Sequence, residues 1–71
     1  VISEADILRL QAHAVATDDM ALLYLTYAAL GFDRGAWFEP LTEEERSSAL
    51  QGCADQLEMF RLTGTELKEI P

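Results

Sequence analysis

The chain has 71 residues, a formal net charge of −8 and an apolar fraction of 49 %. At this length the expectation is one helical domain over residues 1–71, with a core so small that it leans on tight helix packing or self-association. A single cysteine, Cys53, rules out an internal disulfide. A single histidine, His13, rules out the common structural zinc sites, so neither metal nor cofactor is expected.

Ser3-Glu4-Ala5-Asp6 reads as a helix start, a hydroxyl cap followed three residues on by an acid. The helix it opens runs over 4–16. Ile7, Leu10 and Ala14, flanked by Leu8 and Val15, form the arc expected to be buried. Asp6, Arg9 and His13 gather on the other side. Histidine is the side chain whose ordinary pKa lies near neutrality, which makes His13 the candidate to weigh for proton transfer. With no nucleophile or second base at helical spacing, it reads as part of a solvated face carrying a local Asp6–Arg9 pair.

Thr17-Asp18-Asp19 breaks and recaps the chain, and a second helix is expected over 18–30. Its block from Met20 to Leu30 has no polar face, and only Thr26 offers an aliphatic hydroxyl. A helix apolar on every side must be covered all round by protein, by a partner or by membrane. Eleven residues rise about 16 Å, against about 30 Å of hydrocarbon, so a membrane span is excluded. Ala21 and Ala28 lie seven apart, with Ala29 beside their line, which leaves one side nearly flat. Gly31 supplies a left-handed stop.

Residues 31–40 connect to the third helix and carry Phe32, Trp37 and Phe38. Three aromatics in so short a loop either plug the end of the bundle or form a binding ridge. Thr42-Glu43-Glu44-Glu45 is a capping box, the strongest local signal in the chain. The helix it starts covers 43–63 and ends at Gly64. Ala49, Leu50, Cys53, Leu57 and Phe60 make its apolar stripe, with Cys53 as a small core hydrophobe. Gly52 falls off that stripe and weakens the helix by about 1 kcal/mol relative to alanine. Met59 and Leu62 also fall off it. The tail holds Leu67 and Ile70 at helical spacing, compatible with a short fourth turn, and either folds back onto Met59 and Leu62 or waits for a partner.

The fold class that follows is all-α, a small three-helix bundle around a central hydrophobic helix. Seven of the acids sit at or near helix starts, where negative charge is favourable against the helix dipole. The net charge argues against direct contact with nucleic-acid phosphates. No catalytic set and no family-specific motif is present in the sequence. The functional expectation is a non-enzymatic module, a regulator, adaptor or subunit that buries another protein or a second copy of itself, with a homo-oligomer expected. The candidate partner-binding residues are Tyr24, Leu25, Trp37, Phe38, Met59 and Leu62. One alternative is an acidic inhibitor or nucleic-acid mimic that blocks a basic groove, which requires acids arrayed on one continuous face. Another is a helical lid or docking domain of a larger enzyme. Without a basic, long-centred leader in these residues, a cytoplasmic setting is the expectation.

Overall fold

A computed structural model describes residues 2–31 and 41–69. It contains α1 (Glu4–Ala16), α2 (Met20–Leu30) and α3 (Glu43–Thr63), and among the described residues no strand. The chain is an all-helical three-helix bundle. α2 packs against both neighbours, whereas α1 and α3 barely meet, so the most apolar helix occupies the centre.

Each helix begins where a side chain can satisfy its free N–H groups. The Ser3 hydroxyl accepts from the Asp6 N–H at 3.2 Å. A carboxylate oxygen of Asp19 accepts from the Leu22 N–H at 3.1 Å. Thr42 and Glu45 form the reciprocal box, the Thr42 hydroxyl accepting from the Glu45 N–H at 3.1 Å and the Glu45 carboxylate from the Thr42 N–H at 3.2 Å.

The first turn of the chain corrects one boundary. α2 starts at Met20 rather than at 18, because Asp18 belongs to the end of α1. Asp18 adopts a left-handed conformation, φ 56°. The Asp18 N–H then bonds the Val15 carbonyl at 3.3 Å and the Asp19 N–H bonds the Ala14 carbonyl at 2.8 Å. This is a Schellman closure made without glycine. Asp19 thereby closes one helix through its backbone and opens the next through its side chain, which leaves no slack between them.

α2 and α3 run antiparallel. The Arg46 guanidinium, in the first turn of α3, donates to the Ala29 carbonyl at the end of α2, 3.4 Å away. A cation placed there complements the negative end of the α2 dipole. Further along, the Cys53 thiol approaches the Leu25 carbonyl at 3.9 Å.

The core comprises Ile7, Leu10 and Ala14 from α1, Leu22 and Ala29 from α2, and Ala49 and Cys53 from α3. Leu10 has no exposed surface, and burying such a side chain contributes about 1.5–3 kcal/mol. Thr26 is equally buried, its hydroxyl turned back onto the Leu23 carbonyl at 2.7 Å. Such a local bond lets a polar group sit in an apolar core without an unmet partner.

Two expectations for α1 change. Leu8 and Val15 are half exposed rather than buried, since α2 covers only the line through Ile7, Leu10 and Ala14. His13, expected in solvent, is only 6 % exposed. The tail after Gly64 runs back across α1 instead of onto Met59 and Leu62. It pins His13 from outside, and Leu67 packs against the core cluster.

Candidate interaction surface

An open groove follows the α2–α3 seam. Ala21, Tyr24, Leu25 and Ala28 form one wall. Leu41, Glu44, Glu45, Ser48 and Ala49 form the other. The α2 positions recur at three- and four-residue spacing, which places them on one helix face. Alanine at 21, 28 and 49 keeps the side chains lining the groove small. Helix axes settle at about 8–10 Å depending on the side chains between them.

Why the seam stays tight below the groove is visible at Gly52. A β-carbon built there would lie 3.1 Å from one methyl of Leu25. Gly52 is therefore not a weakness off the stripe, as its sequence position suggested. It is where the Leu25 side chain lies against the α3 backbone.

Two of the expected partner-binding residues come together here. Tyr24 is 51 % exposed on the groove rim, while Leu25 is half-buried with its side chain against Gly52. Met59 and Leu62 are 56 % and 69 % exposed. They continue the α3 edge through Glu45, Ser48, Gly52 and Asp55, again at three- and four-residue spacing, so the apolar surface extends along the same side of the bundle. Met20 adds to it at the start of α2, at 49 % exposed. Trp37 and Phe38 lie outside the described residues. Sequence reasoning marked Ala21 and Ala28 as a flat strip but missed Leu41, Glu44, Glu45, Ser48 and Ala49 as groove residues. The signal available for them was their three- and four-residue spacing.

The two side chains most suggestive of chemistry are structural. His13 Nδ1 accepts the Lys68 backbone N–H at 2.9 Å, and its ring meets Phe60 edge to face with centroids 5.0 Å apart. Cys53 is fully buried, and burial pushes its thiol above the ordinary range, away from the reactive thiolate. Among the described residues no group of three or more His, Cys, Asp or Glu could hold a metal ion. No helix among them is long and apolar enough to cross a membrane.

Many acids have local tasks. Asp19 and Glu45 cap helices. Asp6 faces Arg9 at 3.6 Å, and Asp55 accepts from Gln51 at 2.9 Å. Glu58 pairs with Arg61, whose bonds hold the carboxyl below the usual carboxylate range. These pairs are exposed and contribute little to stability.

No family model, curated protein or solved structure matches the chain.

Proposed function

We propose that the protein is a non-enzymatic interaction module that buries the α2–α3 side of its bundle against another protein, as an adaptor, regulator or subunit. The observation that carries this reading is the set of large apolar side chains left exposed, with Tyr24 on the groove and Met20, Met59 and Leu62 elsewhere on α2 and α3. A 71-residue bundle has little core to spare. Leaving large apolar groups of α2 and α3 exposed on so small a bundle is favourable when a partner covers them.

The reading as a nucleic-acid mimic draws less support. That activity needs a continuous acidic face, and many of the acids here are distributed among caps and local pairs.

Size-exclusion chromatography with light scattering at low micromolar concentration tests the module reading, alongside dye binding that reports exposed apolar surface. Association with a partner or a second copy, reduced by Tyr24→Asp combined with Leu62→Asp in a chain of unchanged helicity, is the expected result. A strictly monomeric particle that binds no apolar dye and captures nothing dependent on these two residues would sink it. The setting in which the module works is proposed to be the cytoplasm.

A further inference from the structure

The groove has a sign as well as a shape. Its described lining holds two carboxylates, Glu44 and Glu45, and no Lys or Arg. Asp55 recurs on the same edge of α3 between Ser48 and Met59. Opposite these acids stand Ala21, Tyr24, Leu25 and Ala28, which are apolar apart from one phenol. One wall is thus negative, the floor is small, and the far end is greasy.

We propose that this groove seats a basic amphipathic helix of another protein, an assignment that rests on the interaction-module reading above. The occupant's apolar stripe would lie over Ala21, Tyr24 and Ala28 and continue toward Met59 and Leu62. Its Lys or Arg residues would face Glu44 and the second carboxylate oxygens of Glu45 and Asp55, whose first oxygens accept from Thr42 and Gln51. This is the helix-in-groove mode of recognition. From Glu44 to Leu62, α3 rises about 27 Å, enough to accompany a partner helix of roughly four to five turns.

Charge decides between such a partner and a second copy. The chain carries 13 acids against five Lys and Arg. Three of the four described cations are already engaged: Arg9 by Asp6, Arg46 by the Ala29 carbonyl and Arg61 by Glu58. A two-fold pairing through the groove would also bring two copies of the same acidic wall, Glu44 and Glu45, into one interface. Like charges across an interface disfavour that partner, while opposite charges steer association and fix its register.

The test uses the full chain, isotope-labelled, and two synthetic probes of about 14 residues with helical apolar spacing. One contains only Leu and Lys, the other only Leu and Glu. Amide resonances are followed by NMR, and the chain's own association state is measured beforehand. The Leu/Lys peptide is expected to shift Ala21, Ala28, Ser48 and Ala49, and the Leu/Glu peptide to leave them in place. Affinity for the Leu/Lys peptide is expected to fall about fivefold or more between about 50 mM and about 300 mM salt. The double variant E44Q/E45Q, in which glutamine preserves the capping box, is expected to weaken binding by a similar factor without loss of helicity. Ala21→Lys, at an exposed position, gives an independent block of the same groove.

Shifts confined to other surfaces, equal binding of both peptides, or unchanged affinity in E44Q/E45Q overturns the assignment. So does a dimer in which the groove amides are protected, although the interaction-module reading survives that result. A monomer whose groove responds to neither peptide overturns the basic-helix assignment, and dependence of capture on Tyr24 and Leu62 then decides the module reading separately.

Discussion

Lys68 donates its backbone N–H to Nδ1 of His13, 2.9 Å away and 55 residues earlier in the chain. Nδ1 can accept only when it carries no proton, so the bond requires a neutral ring with its hydrogen on Nε2. The sole histidine is therefore a fastener. It ties the segment after Gly64 to α1, beside the Phe60 ring, and closes the end of the bundle that α1 and α3 leave open between them.

His13→Ala removes the acceptor, the Phe60 ring contact and most of a buried side chain together. The expected cost is about 1–3 kcal/mol of unfolding free energy. In a chain of this size that lowers the melting temperature by several degrees. Hydrogen exchange gives the specific signature: the Lys68 amide loses its protection while amides in the middle of α2 keep theirs relative to global stability. Uniform loss across all helices, with Lys68 no more affected than the rest, would contradict the fastening role.

The three helices were legible because their ends are written locally. Ser3, Asp19, Thr42 and Glu45 are within four residues of the groups they cap, and Gly31 and Gly64 take positive φ where the sequence predicts a stop. The central place of α2 was legible too, from a block with no polar face. What escaped depends on partners distant in sequence. His13 flanks the Ile7–Leu10–Ala14 line and looks solvated until Lys68 and Phe60 cover it. Gly52 looks like a defect until Leu25 occupies the space its missing side chain leaves. In the interaction surface, Tyr24 and Leu25 could be named from sequence. Glu44 and Glu45 could not, because capping accounted for them before any groove was known.

Gly52 and Leu25 are expected to be energetically coupled. Alanine at 52 gains about 1 kcal/mol of helix propensity but presses on a flexible methyl, so the two effects nearly offset. Valine adds branching that the methyl cannot avoid, and Gly52→Val is expected to cost about 1–3 kcal/mol. Leu25→Ala clears the space, so the double variant should be less destabilised than the sum of the single ones. A double-mutant cycle by urea denaturation measures this directly, and strict additivity would mean the two residues do not touch. Leu25→Asp, which sets a carboxylate against the α3 backbone, is expected to prevent folding.

Asp18 holds a left-handed conformation that favours glycine. Asp18→Gly is therefore expected to stabilise the chain by up to about 1 kcal/mol, while Asp18→Ala destabilises it by a similar amount. Thermal unfolding of the two variants beside the natural chain is the check. A stabilised alanine variant would show that the α1–α2 corner does not need positive φ at this position.

Cys53 offers a pH test of the core. Burial raises the folded thiol above the ordinary range, so the folded state keeps its proton to higher pH than the unfolded chain does. The sign follows from linkage: this contribution to stability is full below the unfolded thiol's titration and is lost as pH rises through the folded thiol's higher one. Cys53→Ala lacks the titration. The stability difference between the natural chain and this variant, measured by urea unfolding, should accordingly narrow from neutral pH to strongly alkaline pH. At neutral pH the thiol should react with a disulfide reagent only as fast as the helices open, and urea should accelerate the reaction in step with unfolding. Rapid labelling of the folded chain would mean that the thiol faces solvent rather than the Leu25 carbonyl.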